Sequence, residues 1–180
     1  MRVVLLQSLT MLLLLVAHSA AAFELFGVVI NTAQRQQIRD AIRNSGAEVI
    51  REAGEENLYD VYDMSAEFRQ SKRLYVAYEK TAGGFAFAEY QLPYAYLNTM
   101  LKRLRLKYGQ PKINYGTYES DTKYLWNVDG VDILLTQEWD KNISRLVYSQ
   151  QQQLLQVQQL FRQTEEARQL KALELERSYF

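Results

Sequence analysis

Two hydrophobic spacings alternate along this chain. From Ala33 to Asn44 the apolar residues Ile38, Ala41 and Ile42 recur at helical spacing, with Asn31 or Thr32 placed to cap the first turn and Gly46 to stop the last. A period of two then takes over. Glu48–Glu52, Leu58–Met64, Lys72–Lys80 and Phe85–Gln91 read as short strands, the last two flanking a glycine turn at Thr81-Ala82-Gly83-Gly84. Leu74, Val76 and Tyr78 share one face of the third. Pro93 breaks the chain and the order restarts. Tyr94–Tyr108 reads as a helix with Leu97, Met100, Leu101 and Leu104 on one side, stopped by Gly109-Gln110-Pro111. Strands follow at Lys112–Tyr118, Thr122–Val128, Val131–Glu138 and Ile143–Ser149, with Asp129-Gly130 as a tight turn and Asp140-Lys141-Asn142 as a polar one. Ahead of all this, Phe23–Ile30 reads as an extended leading segment.

The pattern predicts an α+β fold: two consecutive helix-plus-four-strand antiparallel units packed together, residues 31–92 and 93–150, within one domain spanning 23–150. Gly46 and Gly109 both end helices, 63 residues apart, as a duplication would have it. An undivided meander whose elements recur by chance is the alternative. From Gln150 to Arg177 the texture changes to Gln, Leu, Glu, Arg and Ala, all good helix formers, so 151–180 is expected to be a long C-terminal helix of ~40 Å. Its leucines drift around the cylinder without a strict heptad. The first half, with Leu154, Leu155, Leu160 and Phe161, is expected to lie on the sheet. The second half, with Leu170, Leu173 and Leu175, is expected to project.

Residues 1–22 have the order of a signal peptide: Arg2, an apolar run from Val3 to Val16, then small residues ending Ala20-Ala21-Ala22 before Phe23. About 14 helical residues rise ~21 Å, too little for ~30 Å of hydrocarbon, which favours cleavage over anchoring. No later stretch has the length to span, so no transmembrane segment is expected after cleavage. The expected location is the periplasm, with secretion as the wider alternative.

Composition then narrows the chemistry. The chain has no cysteine, and its one histidine, His18, lies in the signal segment. The mature part therefore offers no Ser-His-Asp triad, cysteine nucleophile or His/Cys zinc site, and no disulfide framework. No cofactor and no metal are expected. The balance of 21 basic against 21 acidic residues gives no global attraction to nucleic acid. Any catalysis would have to run on carboxylates, Lys, Tyr or Ser, and paired carboxylates are the arrangement to look for. Asp60 and Asp63 lie three apart in a strand and so point to opposite faces, about 10 Å apart; Asp129 and Asp132 fare no better.

Three features are candidate contacts. Arg35, Arg39 and Arg43 lie at i, i+4 and i+8, one stripe along the first helix, suited to an anionic partner or simply to a solvated face. The 13 tyrosines and two tryptophans fall largely on predicted strands or their ends. Tyr75 points away from Leu74, Val76 and Tyr78, towards an aromatic sheet face. Leu170, Leu173 and Leu175 form apolar surface with no obvious partner in the domain.

Lys107-Tyr108-Gly109-Gln110-Pro111, followed by Trp126, Gly130, Ile133, Leu135 and the Leu146…Tyr148 pair, resembles a pattern in small exported proteobacterial proteins. It is also similar to the helix-plus-antiparallel-sheet unit of the small outer-membrane assembly lipoproteins, although the lipid-bearing cysteine of those proteins is missing. The resemblance implies a non-catalytic adaptor in the cell envelope and identifies no functional residue. The expected function is thus a periplasmic interaction or binding module that contacts an envelope protein or component through its aromatic sheet face or its C-terminal helix. The alternative is a carboxylate-dependent hydrolase of envelope glycans.

Overall fold

The computed structural model describes residues 23–52, 54, 59–65, 73–79, 83–118 and 121–150. Phe23–Ile30 does not run on as one extended piece. It folds back into a miniature hairpin, β1 (Glu24–Leu25) against β2 (Val28–Val29), across Phe26 and Gly27, both at positive φ. The turn drives Phe23 and Ile30 inward, and Phe23 stacks on Tyr108 with ring centres 6.0 Å apart.

Helix α1 (Arg35–Asn44) starts two residues later than the spacing predicts, and its cap differs. Asn31 reaches instead to the Asp129 carbonyl, and Thr32 to that of Val29. Gln34 takes the cap position, its N–H donating to Gln37 Oε1 at 2.8 Å. Ile38 and Ile42 are fully buried, as the helical spacing requires. Four strands follow: β3 (Glu48–Arg51), β4 (Tyr59–Asp63), β5 (Arg73–Tyr78) and β6 (Phe85–Pro93). A single 3-10 turn at Tyr94–Tyr96 leads into α2 (Leu97–Tyr108), which buries Met100, Leu101 and Leu104. Four more strands close the described chain: β7 (Lys112–Asn114), β8 (Lys123–Val128), β9 (Val131–Glu138) and β10 (Ile143–Gln150).

The protein is therefore α+β, with two helices of more than one turn among the described residues and a mainly antiparallel sheet. All eight strands from β3 to β10 form one sheet in the order β3-β4-β5-β6-β10-β9-β8-β7. Each half runs from an outer edge inward, and the inner strands β6 and β10 meet antiparallel, Phe87 opposite Ser149 and Pro93 opposite Ile143. Asp129 and Gly130 both adopt positive φ in the tight β8–β9 turn, the conformation that an Asp-Gly pair favours.

Both helices contribute to one core on one face of the sheet. Ile38, Ile42, Met100 and Leu104 meet Leu74, Tyr90, Ile133 and Leu146 there. Full burial of each such side chain is worth ~1.5–3 kcal/mol, so this layer carries most of the stability. The edges are managed: β3 carries a bulge between Val49 and Arg51, and β7 has only three residues. No helix among the described residues is long and apolar enough to cross a membrane. The segments expected to be a signal peptide and a C-terminal helix, with Leu170, Leu173 and Leu175, lie outside the described residues.

Candidate functional site

Three groups of side chains hold chemistry beyond packing, and they fall in three places. The first lies beneath α1. The backbone N–H of Arg35 donates to Gly83 O at 2.9 Å, which ties the helix to the β5–β6 turn and lays its arginine side over β4 and β5. The Arg39 guanidinium then meets Asp60 side-on, Nε donating to Oδ2 at 2.7 Å and the second nitrogen to Oδ1 at 2.8 Å. Asp60 is completely buried and also accepts from the hydroxyls of Tyr78 at 2.8 Å and Tyr62 at 3.2 Å. The Tyr62 hydroxyl shares its one proton between Asp60 and Glu52, 3.1 Å away; Arg43 also engages Glu52 and bridges Asp40 at 3.0 Å. Arg35 and Arg39 both stand over the Tyr78 ring, 4.9 and 5.8 Å from its centre.

The electrostatics follow from this geometry. Hydrogen bonds to Asp60 hold the Arg39 guanidinium above its ordinary pKa, against the opposing cost of burial. Burial pushes the phenols of Tyr62 and Tyr78 well up, and the Asp60 carboxylate adds to both. Arg39 and Arg43 pair with three carboxylates, Asp40, Glu52 and Asp60, while Arg35 lies over the Tyr78 ring. The stripe is thus one wall of a closed ion-pair and phenol network that clamps α1 to the sheet. Its field is neutralised locally, which leaves little long-range pull on an anionic partner.

The second group sits on the opposite face of the sheet. Arg145 on β10 donates to Glu89 on β6 at 2.8 Å and to Glu138 on β9 at 3.1 Å, and Lys141 pairs with Glu138 at 2.9 Å. Gln91 donates to Glu89 at 3.1 Å. Burial raises the Glu89 pKa, while the Arg145 charge pulls it back down. Two acids do share a face here, but the Arg145 guanidinium bridges them where a glycosidase needs room for its substrate. Asp60 and Asp63 lie on opposite faces of β4, Asp60 beneath α1 and Asp63 bonded to the backbone of Ser65.

The third group is aromatic and open to water. Tyr115, Tyr118 and Trp139 are 81%, 71% and 71% exposed. Register brings them to one end of the sheet: Asn114 pairs with Lys123 where the β7–β8 connection leaves, and Glu138 pairs with Ile143 where the β9–β10 turn leaves. Since β8 and β9 are neighbours, these two connections emerge side by side, their midpoints about two strand spacings (~10 Å) apart. Described residues of the β7–β8 connection contact one another. Asp121 N–H donates to Tyr118 O at 2.9 Å, and Gly116 comes so close that a Cβ there would overlap that of Asp121.

The chain matches no protein-family model and no curated protein. A solved structure of a DUF4309 family protein (YjgB) from Bacillus subtilis aligns with a TM-score of 0.44 and 15% identity, over 69% of this chain and 83% of that one. A likeness of that degree assigns no activity.

Of the residues singled out in the sequence, Arg35, Arg39 and Arg43 are brought together, within the clamp. Tyr75 stands apart on the other face, half-buried, its ring 6.1 Å from that of Tyr59. The sequence pattern predicts a strand over Lys112–Tyr118, which would include Tyr115 and Tyr118. The strand stops at Asn114, and the run Asn114-Tyr115-Gly116-Thr117 holds the turn residues that announce it. The clamp on Asp60 left only a faint trace: Asp60 and Tyr62, two apart, share the face that period two assigns to the core.

Proposed function

We propose that this chain is an exported, non-catalytic interaction module that contacts a protein or other component of the cell envelope. The observation that carries this reading is the exposed trio Tyr115, Tyr118 and Trp139 at one end of the sheet. Large aromatic side chains with a polar tip are enriched in contact surfaces, and exposing three in adjacent connections costs solubility without helping the fold. The acids, by contrast, are engaged: Asp60 by Arg39 and two tyrosines, Glu89 by Arg145 and Gln91. The signal-like order of residues 1–22 supports export to the periplasm.

Within the same reading, 31–92 and 93–150 are repeats of one helix-plus-four-strand unit. Support comes from the strand order, which runs edge to centre in both halves. Residues 151–180 form the long helix, and Leu170, Leu173 and Leu175 near its end are a second contact.

The test compares capture from an envelope extract by the mature chain, by a Tyr115→Ser/Tyr118→Ser/Trp139→Ser variant and by a Leu170→Gln/Leu173→Gln/Leu175→Gln variant. At least one variant loses a saturable partner while its melting temperature stays within a degree or two of the parent, as expected for surface changes (about 0.5 kcal/mol or less). Undiminished capture by both, or release of reducing sugar from envelope glycan by the parent chain, overturns the reading.

A further inference from the structure

Both helices lie on one face of the sheet, yet the other face is buried as well. Register sets Tyr59, Ala77, Phe87 and Ser149 in one row across β4, β5, β6 and β10 on that second face, with Val61, Tyr75, Glu89 and Val147 in the next row. The apolar members form a second cluster that, among the described residues, draws on strands alone. A sheet face open to water leaves large side chains well exposed. Here Tyr59 is 4%, Phe87 6% and Val147 9% exposed. Burial this deep requires another layer lying on the face.

We infer that residues 151–166 supply that layer, docking as an amphipathic helix across β10, β6, β5 and β4. The point of departure fits: β10 ends at Gln150, and Ser149 pairs with Phe87, so residue 151 leaves the sheet beside the cluster. The reach fits too. Three strand spacings are about 14 Å, which a helix covers in about ten residues. The pattern points the same way. Leu154, Val157, Leu160 and Phe161 recur at i, i+3, i+6 and i+7 and fall on one stripe, with Gln156, Gln158 and Gln159 between them. Leu170 and Leu173 lie off that stripe, so the docked part ends before them. The connections after β3, β4 and β5 each join neighbouring strands in the outer half of the sheet, whereas residue 151 follows directly from the central strand β10. On this inference the aromatic sheet face around Tyr75 is internal, occupied by the chain's own tail. It stands or falls independently of the partner reading above.

Two measurements on the full mature chain test it. Hydrogen exchange of the unaltered protein shows amides 154–164 slowed at least about tenfold relative to the same segment as a free peptide. Because the chain has no cysteine, engineered pairs report without background. Tyr75→Cys combined in turn with Gln153→Cys, Val157→Cys and Phe161→Cys closes a disulfide within one chain in at least one pair, whereas Tyr75→Cys with Leu175→Cys does not. Exchange of 154–164 at free-peptide rates overturns the inference whether or not the cysteine variants fold. So does a cross-link formed only between chains, which would make a second copy the cover.

Discussion

Arg39 and Asp60 are 21 residues apart in sequence and joined by two parallel hydrogen bonds, one on each carboxylate oxygen. That fork is how a ten-residue helix, too short to be stable alone, is fixed in position on the sheet. Because Asp60 is wholly buried, removing Arg39 leaves a buried carboxylate held by the Tyr62 and Tyr78 hydroxyls but without that counter-charge. Removing Asp60 leaves a mostly buried guanidinium with Glu52 4.0 Å away. Asp60→Ala should lower stability by about 3 kcal/mol, and Arg39→Lys, which keeps the charge but loses the fork, by less. Urea titrations would register both as a lower midpoint at unchanged slope. A shift below about 0.5 kcal/mol for Asp60→Ala would mean the clamp is ornamental.

The buried phenols make a prediction at alkaline pH. Tyr62, Tyr78 and Tyr148 all have pKa values raised mainly by burial. An unfolded chain would ionise them near the ordinary value of about 10 while the folded chain still holds their protons. The folded state then binds more protons, so stability is intact below pH ~10 and falls as pH climbs above it. Melting temperature should drop steeply there, and Tyr148→Phe should flatten the drop. An unchanged profile in that variant would exclude Tyr148 as a contributor.

Glu89 has the same sign at the other end of the scale. Its folded pKa is raised above that of an unfolded glutamate, chiefly by burial, with Arg145 opposing. Its contribution is complete below the unfolded glutamate value of about 4.3 and is lost as pH rises through the higher folded one. Relative to Glu89→Gln, the parent should therefore lose ground as pH rises out of the acid range. Parallel stability curves for the two proteins between pH 4 and 7 would show that Arg145 cancels the cost of burial.

The two tryptophans report on opposite environments. Trp126 is buried and donates through Nε1 to Gly109 O at 2.9 Å, closing the end of α2, while Trp139 stands in water. Trp139→Phe should leave a blue-shifted emission that acrylamide quenches poorly and should keep the melting temperature. Trp126→Phe should leave a red-shifted, readily quenched emission and cost about 1 kcal/mol or more for the lost bond and volume. Similar quenching of the two single-tryptophan proteins would contradict the placement of both.

Where local rules act alone, the sequence was legible. Val131, Ile133 and Leu135 recur at a period of two, and the strand runs over the expected residues Val131–Glu138 with all three fully buried. Asp129-Gly130 turns as its φ preferences dictate. Legibility failed where a distant partner decided. Asn31 is a good cap by type, but the Asp129 carbonyl, 98 residues on, claims its side chain, and the cap passes to Gln34. The arginine stripe looked like surface because nothing in the helix itself announces Asp60 or Glu52 across from it. The exposed aromatics were hidden by strand propensity, which Tyr carries even where a Gly-Thr turn ends the ladder.

The central pairing of β6 with β10 sets the order in which this chain can be completed. The strand that closes the middle of the sheet is the last of the described elements to be synthesised and, if the chain is exported, the last of them to cross. Until it arrives, β6 offers a nine-residue unpaired edge containing Phe85-Ala86-Phe87-Ala88, a run apolar enough to recruit any other strand. A chain cut short before Ile143 would therefore be lost to aggregation or to exchange of strands between copies rather than persist as a smaller folded half. Chaperoning during biogenesis would matter most over that interval.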